Sequence, residues 1–356
     1  MTARRRAQEF CEAYGLSMPI LQAPMAGACP PALAAAVAGA GGMGAAGVVL
    51  DAPEKISTWV REFRSRSEGP FQLNMWIPDP VDDDPAKIAA AQGFLRGFGE
   101  PGPEQPPGPS FEEQCEAMLE ARPRVISSIM GLFSPAYVDR LHEAGIAWFA
   151  CATTLAEAQA AQAAGADAIV AQGLEAGGHR GVFEPDAAES TSVGLLALLP
   201  HIVDGVDLPV VATGGIADGR GVAAALTLGA SAVQVGTALL RSPETGIAET
   251  WAASLEGLAP EDTVTTRAYS GRLGRAAPTA YVRSWDAPDA PTPAPYPHQR
   301  RLVGQWRKGT PAPAAEVAVD RGNHWAGQAA ARAAAEPAAD VVTRMWSQAQ
   351  TLLPSR

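Results

Sequence analysis

The sequence predicts a one-domain α/β protein, a (β/α)8 barrel with a C-terminal extension covering the active-site face. Three observations predict it. Short apolar or β-branched runs alternate with helix-like segments along most of the chain. The runs number eight, the barrel number. The intervals between them leave room for crossover helices, which parallel strands require.

The eight strands are expected, in order, at residues 19–24 (PILQAP), 44–50 (GAAGVVL), 71–76 (FQLNMW), 124–129 (RVISSI), 146–151 (IAWFAC), 167–172 (DAIVAQ), 209–214 (PVVATG) and 231–236 (SAVQVG). Alanine-rich helices such as 153–166 and 218–230 lie between them, and Gly165 and Gly229 suit the left-handed position that ends a helix. The barrel is read over residues 15–260, with a proline-rich insertion near 77–112. Within it the run GEPGPEQPPGPS (99–110) excludes regular structure and predicts a surface excursion. Residues 261–356 are read as a cover segment and helices of the same domain. Proline-rich DAPDAPTPAPYPHQR (286–300) is followed by a helix-like stretch over 326–350.

Composition narrows the function. Apolar residues are 47% and charged residues 18% of the chain, a balance that supports a large core and opposes disorder. The net charge of −11 opposes broad attraction to nucleic acid or an anionic membrane, so small-molecule partners are expected. No stretch reads as a signal core or a membrane span. Cys11, Cys29, Cys115 and Cys151 form no CxxC pair, which suggests neither a zinc site nor a disulfide framework. A cytoplasmic location is expected, with no metal; association into a homo-oligomer is left open.

Two glycine turns carry a phosphate signal. In ATGGIADGRG (212–221), Gly214 and Gly215 follow a buried strand and Asp218 is placed to cap the next helix. In QVGTALL (234–240), Gly236 and Thr237 follow strand eight. Glycine lets backbone N–H groups approach a phosphate, and strands seven and eight are where barrels hold one. Either turn by itself reads equally as a tight strand-to-helix connection; the pair in adjacent units favours phosphate.

GLEAGGHRGVF (173–183) sets His179 in a glycine-rich loop directly after strand six. Imidazole titrates nearest neutrality, so a histidine at this face can accept a proton from a carbon acid. His142, His201, His298 and His324 read as helix-end or surface residues. Asn74 and Gln172 end apolar strands and offer the donor and acceptor that a flavin edge needs, with an amide that only satisfies nearby backbone as the lesser alternative. Met75 and Trp76 are placed to wall a ring or to pack. The chain has no GxxxxGK[ST], HExxH or GxSxG, and AGAGGMGAAG (38–47) runs from helix into strand, the wrong order for a dinucleotide fold.

QAPMAG (22–27), AGAGGMGAAG, FQLNMW, AQGLEAGGHRG (171–181), ATGGIADGRG and QVGTALL, together with PYPHQ (295–299) and HWAGQ (324–328), resemble the blocks of the bacterial class of nitronate monooxygenases over nearly the whole chain. The resemblance implies non-covalent FMN at the mouth of a TIM barrel. It sets Ala23, Pro24 and Met25 near the flavin ring and Asn74 and Gln172 on its polar atoms. Gly177, Gly214, Gly215, Gly236 and Thr237 would enclose the phosphate, with His179 catalytic and Tyr296 in the substrate pocket. It further implies oxidation of an alkyl nitronate by O2 to a carbonyl compound and nitrite. His179 would first deprotonate a neutral nitroalkane if one is accepted.

Two departures from the family bear on substrate. SSIMGL (127–132) replaces a Phe-His-Phe-Gly turn, so Ile129 stands in the substrate pocket where a histidine is expected, and PYPHQR puts Arg300 in place of an asparagine. Arg267, Arg272, Arg275 and Arg283 are read as a solvated basic face, with an anion-holding role as the lesser alternative. The competing functions are an FMN-dependent enoyl-thioester or quinone reductase using NAD(P)H, and a flavin-binding protein of a biosynthetic pathway with a non-redox role.

Overall fold

The structure is a computed structural model that describes residues 1–104, 108–311 and 319–354. Eight parallel strands form the barrel: β1 (Ile20–Gln22), β2 (Gly44–Gly47), β3 (Phe71–Trp76), β4 (Val125–Ile129), β5 (Ala147–Ala152), β6 (Ala168–Gln172), β7 (Val210–Thr213) and β8 (Ala232–Val235). They run in the order β1-β8-β7-β6-β5-β4-β3-β2, and a parallel bridge between Leu21 and Met43 closes β2 onto β1. All eight expected strands are present. Several are shorter than the apolar runs by one to three residues.

The helix N-termini after the strands are capped as their sequences allow. Thr154 accepts from Glu157 N, and Asp218 accepts from Arg220 N at 3.0 Å. These side chains satisfy amide groups that the first helical turn leaves without partners. A helix absent from the sequence expectation, Ala3–Tyr14, is capped by Thr2 and ended by Gly15 at φ 74°. Its buried face plugs the barrel's closed end, where Phe10 and Tyr14 lie 6.1 and 4.9 Å from the Phe149 ring.

After β8 the chain leaves the barrel to build the cover, then returns. The helix Ala338–Leu352 packs against Gly219–Thr227 and Pro31–Gly39, taking the place of the eighth outer helix. The approach is close: a Cβ on Gly219 would stand 2.3 Å from Gln348 Cβ. The helix begins only after Pro337; the part of the 326–350 stretch before it holds just a single 3-10 turn, Ala330–Arg332.

The insertion and the C-terminal segment pack on each other around an aromatic core of their own. Phe94 and Phe98 from the insertion meet Tyr281, Trp285 and Trp306 from the C-terminal third. The insertion holds a full helix, Pro85–Arg96. The expectation that residues 99–110 exclude regular structure is corrected: Gly99–Glu100 pairs antiparallel with Thr310–Pro311, so the excursion is anchored on the cover. Residues 105–107 of that run lie outside the described residues.

Candidate active site

The barrel interior changes character toward its mouth. At the closed end it is apolar, with Leu21, Met43, Phe149 and Val211 in contact. Above them lies a hydrogen-bonded amide layer. Gln72 Nε2 donates to Gln22 O and to Gln234 Oε1, both at 3.1 Å, and Ser127 Oγ donates to Gln72 Oε1 at 3.1 Å. Burial makes this layer rigid, since every unpaired amide there would be costly. Asn74 Nδ2 donates to Ser127 Oγ at 2.9 Å, which leaves Asn74 Oδ1 without a partner among the described residues.

Above this layer opens a cavity of about 260 Å³. Ala23, Pro24, Met25, Asn74, Ile129, Gln172, Gly177, His179, Gly214, Gly215, Gly236 and Thr237 all line it, so the structure brings together every site residue read from the sequence except Tyr296. Tyr296 stands behind Trp76, with ring centroids 5.6 Å apart, and its hydroxyl accepts from Arg300 Nη1 at 2.9 Å.

One end of the cavity is backbone. Gly214 and Gly215 have φ of 118° and 70°, in the left-handed region that favours glycine. A Cβ on Gly214 would lie 3.2 Å from Ala176 N, and one on Gly177 only 2.4 Å from Gly327 N. The cover reaches this end too: Gly327 N donates to Thr237 Oγ1 at 3.0 Å, and Gln328 N donates to Glu175 O.

The other end is made of side chains around His179. Gln172 holds the loop through both ends of its amide: Nε2 donates to His179 O at 3.0 Å, and Oε1 accepts from Gly181 N at 2.8 Å. The short strand Gly178–His179 then pairs with the hairpin strand Gly274–Ala276 of the cover. Trp76 and Trp325 hold the imidazole, with centroids 4.4 and 4.6 Å away, and Nε2 lies 2.7 Å from Ser270 Oγ. Burial, with the Arg272 and Arg300 guanidinium groups nearby, pushes the His179 pKa down to about 3. The ring is therefore neutral near pH 7.

Two readings of the sequence are corrected. The arginines do not make one solvated face: Arg283 is exposed, but Arg272 is 2% exposed, and Arg275 Nε is turned inward to donate to Leu174 O at 3.0 Å. His324 is buried, 3.3 Å from Asp320 Oδ2, instead of lying at the surface. Residues that the sequence reading missed include Ser270, Asn323, Arg307 and Trp325, all on the cavity wall. No local pattern marks Ser270, which reaches His179 only through the hairpin; Trp325 and Gly327 sat inside the HWAGQ block.

Among the described residues no helix is long and apolar enough to cross a membrane. The family model described as nitronate monooxygenase matches residues 8–347. A nitronate monooxygenase of Pseudomonas aeruginosa is 41% identical over 94% of this chain and 96% of its own length. The crystal structure of a nitroalkane oxidase from Streptomyces ansochromogenes superposes with a TM-score of 0.84 at 31% identity, covering 96% of this chain and 98% of that one. FabK from Thermotoga maritima gives 0.73 at 25% identity over 97% and 96% of the two chains. The family match spans barrel, insertion and cover alike, and the chain belongs to the nitronate monooxygenase family.

Proposed function

We propose that this oxidoreductase is an FMN-dependent monooxygenase that oxidises preformed alkyl nitronates with O2 to a carbonyl compound and nitrite. One observation carries the reading: a single cavity joins a glycine-built end to a neutral histidine flanked by guanidinium groups.

The glycine end fits a ribityl phosphate, because Gly177, Gly214 and Gly236 line it with backbone alone, and a Cβ at any of them would press on neighbouring protein atoms and push the loops out of place. Gly177, Gly214, Gly215, Gly236 and Thr237 would hold the phosphate. Ala23, Pro24 and Met25 would wall the ring, and Asn74 Oδ1 with the remaining Gln172 N–H would bond its polar atoms. FMN is favoured over FAD because Gly327 and Gln328 are tied across Thr237 and Glu175 at this end, so a second nucleotide would have to displace them. Bound there, the flavin supplies the electron acceptor and the reaction with oxygen.

The chain's own groups select the charge state of the substrate. Arg300, which lines the cavity, makes the space beside His179 attractive to an anion. A neutral imidazole offers a hydrogen bond to that anion. Its pKa of about 3 makes it a poor base toward a carbon acid, whose proton is held far more tightly, so the substrate arrives already ionised. Trp76, Ile129 and Trp325 present apolar surface that limits water at the reacting carbon.

The competing reductase reading draws on the FabK likeness, which is lower in both identity and TM-score. Anaerobic mixing separates the two. Nitronate is expected to bleach the yellow protein while NADH and NADPH leave it oxidised, and heat-released cofactor is expected to run as FMN. Bleaching by a nicotinamide alone would reverse the assignment.

A further inference from the structure

A buried ion pair behind the cavity ties together the three segments that surround His179. Arg272, on the hairpin of the cover, is 2% exposed; its Nε lies 3.2 Å from Oδ2 of Asp79, whose side chain is 8% exposed. Asp79 belongs to the insertion just after β3. Arg272 Nη2 donates to Val182 O at 3.0 Å, on the loop that carries His179. The Arg272 backbone N–H donates to Ser270 Oγ at 3.2 Å, and that oxygen is the one 2.7 Å from His179 Nε2. Neither Asp79 nor Arg272 lines the cavity.

Stability alone does not account for this pair. Two buried charges lose their hydration, and apolar groups of the same shape often hold such a junction as well or better. Here Arg272 Nη1 is also buried with no hydrogen-bond partner. What an apolar replacement cannot supply is a fixed positive charge beside the imidazole.

We propose that Arg272 is a positioning residue for His179: its backbone N–H seats Ser270 against the imidazole and its guanidinium, with Asp79 as counter-ion, holds a permanent positive charge beside the ring. The groups around His179 give Arg272 this role. Arg300, from the helix His298–Lys308, is the other guanidinium acting on the ring. Arg180 and Arg275, its neighbours in sequence and in the hairpin, are turned away to Gln172 O and Leu174 O. Trp76 and Trp325 are uncharged. Glu175 is spent on Leu195 N, and Tyr296 accepts from Arg300. Arg307 lines the same cavity beside Asn323. Burial lowers the Arg272 pKa from its ordinary value and Arg267 adds to that, while Asp79, Tyr296 and Glu184 act in the opposite direction and favour the charged form.

The inference rests on His179 being the group that meets the substrate, and its test reads the imidazole directly. In the ¹⁵N-labelled holoenzyme the His179 ring signals are identified by their loss in His179→Gln and followed against pH. Arg272→Met is expected to raise the His179 midpoint by about one pH unit or more, the scale set by one charge in a partly buried site. Arg272→Lys, which keeps the charge, and Asp79→Asn, which removes only the counter-charge, are expected to leave it as low as wild type or lower. A wild-type midpoint in Arg272→Met overturns the proposal, as does a raised one in Arg272→Lys or Asp79→Asn. If Arg272→Met does not fold, the two charge-retaining variants decide it. Failure of the wild-type enzyme to oxidise nitronates would overturn the functional reading and leave this titration result standing.

Discussion

The two ends of the cavity are built by opposite means. The glycine end is backbone, made where β7 and β8 run out into Gly214–Gly215 and Gly236–Thr237. The end around His179 is side chains, and most of them arrive from elsewhere: Trp76 from β3, Ser270 from the hairpin, Arg300 from a cover helix and Trp325 from the segment after it. A phosphate is recognised by geometry that two adjacent loops can make alone. Choosing one small anion takes charge and shape assembled over a long span of chain. The difference predicts that damage at the first end removes the cofactor, whereas damage at the second alters kinetics and leaves the cofactor bound.

The largest effect is expected at the backbone end. Gly215→Val puts a β-branched residue at φ 70° and its Cβ 3.2 Å from Glu175 Cβ. Strain of about 1–3 kcal/mol corresponds to roughly 5- to 150-fold weaker flavin binding. The variant should purify pale, and absorbance per protein measures it; a stoichiometric flavin would place the phosphate elsewhere. His179→Asn is the matching test at the other end. It should keep its flavin while kcat/KM for nitronate falls by roughly 10- to 100-fold, the value of a hydrogen bond to a charged group. Loss of flavin in that variant would erase the distinction between the ends.

Two smaller effects sharpen the contrast. The folded pKa of His179 lies near 3 against an ordinary 6.5. Above pH 6.5 both folded and unfolded chains hold a neutral ring and the group adds no pH dependence. As pH falls through the window from 6.5 toward 3 only the unfolded chain takes up the proton, so stability falls, with a slope of at most about 1.4 kcal/mol per pH unit. His179→Asn should flatten the fall of Tm across that window, and an unchanged slope would mean the ring is not held neutral. Tyr296→Phe is the mildest. It removes only the acceptor for Arg300 Nη1, so a severalfold change in KM is expected with flavin content and kcat near wild type. Kinetics identical to wild type would remove Tyr296 from the site.

The same contrast explains what the sequence made legible. All eight strands and the left-handed Gly214–Gly215 turn could be read locally, because strand period and left-handed glycine are properties of a few neighbouring residues. His179 was legible for the same reason. Ser270 was not, since its contact with the imidazole exists only once Gly274 pairs with His179. Arg272 was misread as solvated because charge in a sequence carries no sign of burial, and Asp79, its partner, lies far away in the chain. His324 was misread likewise. The return of Ala338–Leu352 to the barrel was hidden by the long excursion before it, although its own helical pattern was plain.

The most direct test of the central claim is oxygen uptake by the purified holoenzyme, measured in parallel with an alkyl nitronate, the corresponding neutral nitroalkane, and NADH. Rapid uptake with nitrite release is expected from the nitronate, turnover slower by roughly 10²-fold or more from the neutral compound for want of an effective base, and none from NADH alone. Equal rates with nitronate and nitroalkane, or uptake that depends on NADH, would contradict the central claim.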